Sequence, residues 1–461
     1  MPNDGDTARY RRRSSVVTRA ADRPEPPSPR PRPSIPRRGR LAALHSRNFR
    51  LLLLGQTVAT IGMWTQRIAQ DWLVLSLTGD ATAVGITTAL QLAPMLVFGL
   101  AGGWIADHYP KRRVLQATQA ATAALAATLA VLTLTGHVTA WHIQLLAAGL
   151  GIIAAIDQPV RLAFVTDLVE RDHLYSAISL NSSTYQLGAL TGPAVSGALI
   201  SAVGPGWAFA LNAVSYAVPL IAFACIDPDR LPHPRPATRA AALAPGGMRA
   251  LVRRPEIWRP IALAGAFSMF TSSLPVTLSA YARTLDIGPS GYAMFTFVVA
   301  LGSMLGVLIA AGRTRTTMHG LTWTGCAVAA MYLLATAMPT PWSLACALAG
   351  VGMATTLLFT AVNATVQVAV GTELRGRAMG VYLLVFFGCG ALGGPLIGAI
   401  NQHLGPRIGL ALAGAVPAAA LLLLSLSHFV GRPAAVRPSG ASRRPSGTGR
   451  ESTPHTRSQL P

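Results

Sequence analysis

Residues 99–113 read GLAGGWIADHYPKRR. An apolar run ends here in a lone acid, Asp107, a tight turn and three consecutive cations, Lys111, Arg112 and Arg113. Gly99 and Gly103 stand four apart, a small-residue face that lets a second helix approach closely inside a bilayer. A carboxylate at the end of a membrane helix is costly unless it is partnered or functional. Taken alone, the pattern fits a positive stop after any membrane helix equally well. The rest of the chain decides between the two.

The 461 residues are 51% hydrophobic and 12% charged, about half the charged share of a soluble domain. Apolar runs long enough to cross a bilayer recur throughout. Twelve helices are predicted, at about 49–77, 83–107, 113–135, 140–160, 174–203, 207–226, 257–281, 290–312, 319–338, 341–363, 376–402 and 406–429. The net charge of +21 is concentrated in the tails: of 38 basic residues, 13 precede position 51 and 6 follow position 430. Placing both termini in the cytoplasm puts sixteen loop cations inside and only Arg283 and Arg407 outside, the bias that orients membrane helices. Nucleic-acid binding is therefore not expected. Cys225, Cys326, Cys346 and Cys389 lie in or beside apolar runs without ligand spacing, so neither a metal site nor a disulfide framework is expected. The GxGxxG of Gly388–Gly393 lies in a membrane-length run rather than after a strand, which excludes the dinucleotide reading.

The chain repeats itself weakly. GALTGP at 188–193 returns as GALGGP at 390–395, and Gly204-Pro205 returns as Gly405-Pro406. Two six-helix halves, 48–226 and 257–430, follow from this, joined by a central loop at 227–256 and flanked by tails at 1–47 and 431–461. The Arg/Pro-rich N-terminal tail cannot bury apolar surface and is expected to be disordered.

On these residues the chain resembles the major facilitator superfamily. Gly103, Asp107, Lys111 and Arg112 match the superfamily's loop between helices two and three, with His108 and Pro110 departing from it. GQTVATIGMWTQRIAQDWLVLSLTG (55–79), DQPVRLAFVTDLV (157–169) and TELRGRAMGVYLL (372–384) are similar to its enterobactin-exporter-like branch of transmembrane secretion effectors. The resemblance implies an all-α membrane protein of twelve helices in two pseudo-symmetric bundles. It also implies a cytoplasmic gate in which Asp107 caps a helix of the second half and Arg112 reaches Asp157, with Arg161, Asp167, Glu373, Arg375 and Arg377 around them. The helix-five segment Gly188, Gly192, Pro193 and Gly197 resembles a drug/proton antiporter motif. Its second copy weakens that reading, since internal symmetry could explain both copies, and the motif still leans toward export.

Helix one has the most polar interior, with Gln56, Thr60, Gln66, Arg67, Gln70 and Asp71. Positions 60, 63, 67, 70 and 71 share a stripe suited to a water-filled cavity. Arg67 and Asp71 can pair at i, i+4. Asp71 is the candidate proton site, with a structural ion pair or an outer-gate charge as the alternatives. Trp64, Trp72, Tyr185, Tyr281 and Phe270 are candidate cavity aromatics or packing residues.

The expectation is a non-enzymatic permease of the inner membrane that exports a drug, siderophore or secondary metabolite. Alternating access coupled to protons is the expected mechanism. Membrane lipid is its other expected partner; no cofactor is expected and no oligomer is implied. An importer, or a membrane sensor that transports nothing, are the rival readings.

Overall fold

The computed structural model describes residues 42–170, 173–226, 255–312, 318–370 and 375–430. Most of both tails, the central loop at 227–254, Glu373 and the side chain of Arg375 lie outside the described residues. Every regular element among the described residues is helical. A short 3₁₀ turn, Ala42–His45, leads into α1 (Arg47–Thr78), followed by α2 (Ala81–His108), α3 (Lys111–Leu134), α4 (Ala140–Asp167) and α5 (Leu174–Val203). The sixth span is α6 (Pro205–Ser215) with α7 (Ala217–Cys225), and the seventh is α8 (Pro255–Thr271) with α9 (Leu274–Thr284). The last five are α10 (Gly288–Ala311), α11 (Met318–Ala337), α12 (Pro341–Ala369), α13 (Arg375–Leu404) and α14 (Pro406–Val430).

Eleven of these twelve spans are long and apolar enough to cross a membrane. The exception, α1, misses only because of its polar residues, and it is sheathed by neighbours: Thr60, Thr65, Gln66, Gln70 and Asp71 are all buried. Spans six and seven are broken, where the sequence predicts continuous helices. Pro219 and Pro275 have no N–H to donate back across residues 215–216 and 271–272, so each helix restarts there.

Helix pairing repeats between the halves. Contacts of α2 with α4, α1 with α5 and α3 with α6 are answered by α10 with α12, α8 with α13 and α11 with α14. Between the halves α2 packs on α13 and α5 on α10, one contact being the symmetry mate of the other. Glycines make these crossings possible. A methyl on Gly85 would overlap the carbonyl oxygen of Gly394, and one on Gly398 would come within 2.6 Å of that of Ala81. Gly302 and Gly352 hold α10 against α12 by the same backbone contact, and Gly102 and Gly151 hold α2 against α4.

The helix-five segment belongs to this scheme. Gly188 and Gly192 seat α5 on Thr60 and Trp64 of α1, while Gly197 faces Ala293 of α10 across the halves. Its second copy, around Pro395, does the same work: Gly393 packs on Met269 of α8, Gly390 on Ser272 just beyond it, and Gly394 on α2. Gly99 and Gly103, expected to receive a neighbouring helix, have no atom within 4 Å of an added Cβ. The contact to α4 is made by Gly102 instead.

One end of the bundle carries Lys111, Arg112, Arg113 and Arg161 and is called the basic end. At the opposite end the connections are one to five residues long and turn through Gly79, Gly136, Gly204, Asp286 and Gly405, all at positive φ. Near this opposite end the halves meet through Ala81 with Gln402, Asp71 with Tyr292 and Trp72 with Tyr292, and at mid-helix Leu96 lies beside Gly388. Gly99, Gly103, Gly376 and Gly380, toward the basic end, face open space.

Overpacking a glycine crossing costs about 1–3 kcal/mol. Gly192→Leu is therefore expected to lower the melting temperature of the detergent-solubilised protein, whereas Gly99→Leu leaves it unchanged. Equal melting temperatures for the two variants would refute this packing assignment.

Candidate functional site

At the basic end the first half ties its own charges together. Lys111, at the start of α3, pairs with Asp167 at the end of α4 at 2.6 Å. Arg112 Nη2 donates to the carbonyl oxygen of Ala224 at the end of α7, 3.0 Å away. It does not reach Asp157, because that carboxylate is already occupied. Asp157, 7% exposed, accepts on Oδ1 from Thr118 Oγ1 at 2.6 Å and Gln119 Nε2 at 2.9 Å. Its Oδ2 accepts from Nε and Nη2 of Arg161, one helical turn away. Four donors on one buried carboxylate are what burial of such a charge requires. Removing one partner of a buried pair of this kind typically costs about 3–5 kcal/mol.

Asp107 is exposed and makes no hydrogen bond or ion pair among the described residues. The neighbouring His108 folds back on its own helix, bonding the carbonyl of Trp104 at 2.9 Å and stacking on that indole.

The opposite end is closed by polar contacts between the halves. Asp71 on α1, 2% exposed, accepts on Oδ2 from the Tyr292 hydroxyl of α10 at 2.9 Å. Tyr292 is fully buried and stacks on Trp72, ring centroids 6.4 Å apart. Beside this contact Gln402 Oε1 of α13 accepts from the backbone N–H of Ala81 at 3.0 Å, supplying an acceptor to the first turn of α2 that its own helix cannot.

The polar stripe of α1 serves several partners. Gln66 faces α6, accepting from Asn212 Nδ2 at 2.7 Å. Arg67 stands 5.8 Å from the Trp64 ring centroid, and Trp64 in turn meets Tyr185 of α5 edge-on at 5.6 Å. Arg67 and Asp71 form no salt bridge, though the Arg67 charge still acts on the Asp71 carboxylate, whose Oδ2 accepts from Tyr292. Trp64 Nε1 and Gln70 Nε2 are buried donors without a hydrogen-bond partner. Of the other aromatics singled out in the sequence, Tyr281 and Phe270 belong to the packed core of the second half. Tyr292, the residue that joins Asp71 to the other half, carries no sequence signal: it lies 221 positions away in the apolar helix α10.

The sequence profile of the MFS_3 family, described as transmembrane secretion effectors, matches residues 38–443. The chain is 28% identical over 162 residues to the staphyloferrin A transporter of Staphylococcus aureus, covering 35% of this chain and 41% of that protein. It is 24% identical over 276 residues to the enterobactin exporter EntS of Escherichia coli, covering 59% of this chain and 65% of that protein. The chain thus spans less than two thirds of the length of either relative. In fold it is similar to a bacterial homolog of the human lysosomal transporter Spinster, with a TM-score of 0.67 at 15% identity over 85% of this chain and 99% of that one. It is likewise similar to the peptide transporter POT, with a TM-score of 0.68 at 14% identity over 86% and 97% of the two chains. At such identities the likeness is one of fold. The profile match covers most of the sequence, and the chain belongs to the transmembrane secretion effector family of the major facilitator superfamily, whose members are transporters and not enzymes.

Proposed function

We propose that this transporter exports a small organic molecule from the cytoplasm by proton-coupled alternating access, a siderophore being the first substrate class to test. The observation that carries the reading is the Asp71–Tyr292 hydrogen bond. Among the described residues two acids are buried, Asp71 and Asp157, and only Asp157 has a cation as partner. Asp71 instead bridges the two halves where they meet. A charged carboxylate is tolerated in a membrane interior only with a partner or a job. Two relatives, a staphyloferrin A transporter and an enterobactin exporter, support the substrate class.

Cations retained on the cytoplasmic side make the basic end cytoplasmic. Halves 48–226 and 257–430, both tails and the central loop are assigned accordingly, with both termini inside. The conformation is then open to the cytoplasm, the state in which an exporter loads. Moving to the outward-open state parts Tyr292 from Asp71 and exposes the carboxylate to external protons. Protonation removes the charge, and the neutral acid can be buried again at far lower cost. Reclosure carries the proton inward.

The same movement closes the basic end. There α2 offers Gly99 and Gly103, α13 offers Gly376 and Gly380, and all four face open space. These two helices already cross through glycines at their other ends. Their approach brings Asp107, at the end of α2, to the N-terminus of α13, where unpaired N–H groups favour a carboxylate. Asp107 is thereby assigned to the outward-open state, with Lys111, Arg112, Asp157 and Arg161 holding the first half rigid beneath it.

Two outcomes test this reading in an efflux-deficient host and in proteoliposomes. Asp71→Asn is expected to abolish the response of export to an inward proton gradient, leaving residual transport that a protonophore does not change; an undiminished pH response excludes Asp71 as the carrier. Asp107→Asn is expected to cut turnover at least about tenfold, since a helix-terminal charge contributes up to about 2 kcal/mol in a partly buried geometry, with an unchanged melting temperature. Turnover at the wild-type rate removes Asp107 from the gate.

A further inference from the structure

Resting on the export reading, we infer that the substrate is an anion carrying a planar aromatic ring, held by Arg67, Trp64 and Tyr185. Positions 64, 67 and 71 lie on one side of α1, at i, i+3 and i+7. Because Asp71 meets the other half through Tyr292, that side of α1 faces the space between the halves. Arg67 therefore sits two-thirds of the way along α1, just beyond the closed end and toward the open one. It is placed deeper from a helix end than any other cation of the described spans, with 20 residues of α1 before it and 11 after it.

The chemistry left unpaired at this place is all of one kind. Arg67 makes no hydrogen bond or ion pair among the described residues. The Trp64 indole N–H and the Gln70 amide N–H groups are buried without an acceptor. A guanidinium carries five donors and no acceptor, and an indole carries one donor only. Buried donors without a partner call for a ligand that brings acceptor oxygens, and a guanidinium fork matches a carboxylate in shape as well as charge. The rings set the remainder of the ligand. Trp64 and Tyr185 meet edge to face, and Tyr185 stays 48% exposed, leaving an aromatic face for a planar group to cover. A cationic substrate would meet the Arg67 charge first, since Asp71 lies one turn further toward the closed end and is held by Tyr292.

The arrangement also gives Arg67 a second position. When the halves part and Tyr292 withdraws, Asp71 lies one turn from Arg67, at the spacing of a helical ion pair. Forming that pair displaces the anion toward the outside. Protonation of Asp71 then frees Arg67 for the next cycle.

The test measures binding without any gradient, so it does not depend on direction or coupling. Wild-type protein in nanodiscs is dialysed against radiolabelled 2-hydroxybenzoate and, separately, its neutral primary amide. The acid is expected to bind at least about tenfold more tightly than the amide, the ratio that one charge-assisted hydrogen bond supplies. Arg67→Gln is expected to erase that preference while the amide binds as before. Arg67→Lys keeps part of it. Trp64→Phe, which retains an aromatic ring and deletes the N–H, is expected to weaken the acid by about threefold or more. Equal binding of acid and amide by the wild type, no binding of either, or a preference that survives Arg67→Gln would each overturn the inference. Binding of the acid without gradient-driven export would instead overturn the export reading and leave this one standing.

Discussion

Backbone contact between helices is the constraint on which the rest of this molecule depends. In hydrocarbon no hydrophobic force pulls one apolar helix toward another, so association relies on close packing. Here that packing is made by glycines set against carbonyl oxygens: Gly85 with Gly394 between the halves, Gly302 with Ala349 and Gly102 with Ala155 within them. A side chain at any of these positions would push two backbones apart. The crossing of α2 and α13 matters most, because it joins the two halves, with Gly398 against Ala81, Gly394 against Gly85 and Gly388 beside Leu96. Beyond it, Gly99 and Gly103 on α2 and Gly376 and Gly380 on α13 face open space.

Polar groups obey a second constraint, set by the same solvent. Each buried charge must find donors or change its state. Asp157 solves this locally, with Thr118, Gln119 and Arg161 all supplied by α3 and α4. No movement between halves disturbs that set, which suits a residue that stiffens one half. Asp71 solves it across the halves through Tyr292. Its hydrogen bond therefore spans the contact between the halves. The two carboxylates look alike in the sequence, and the location of their donors separates them.

Much of the architecture was legible before any coordinates. Apolar runs of membrane length, loop cations on alternate sides and the GALTGP/GALGGP repeat mark twelve helices in two related halves, because each signal reflects the bilayer directly. The breaks at Tyr216 and at Ser272–Ser273 were less visible, although Pro219 and Pro275 are their cause; a proline kinks some helices and divides others. The partners of polar residues could not be read at all. Gln66 with Asn212, Asp71 with Tyr292 and Arg112 with the Ala224 carbonyl join positions 112 to 221 residues apart. The i, i+4 spacing of Arg67 and Asp71 suggested a pair, yet the two form no salt bridge and the hydrogen bond to Asp71 comes from a tyrosine of the other half. Local periodicity fixes which face a residue occupies, and only tertiary packing determines who stands opposite.

The repeated scaffold carries unrepeated chemistry. Helix pairings and glycine crossings in the first half have counterparts in the second, whereas Arg67 and Asp71 do not: in α8 and α9 the charged residues Glu256, Arg259 and Arg283 lie near the ends of the span. The second half answers α1 with Tyr292 and apolar packing, and the start of α2 with Gln402. Such asymmetry follows from what each property requires. Close packing through glycines is what brings helices together in either half, so it is duplicated. A second buried carboxylate in the opposite half would add another desolvation cost without another partner. Among the described residues, buried charge is therefore concentrated in the first half, and Asp71 on α1 receives its hydrogen bond from a neutral tyrosine of the second.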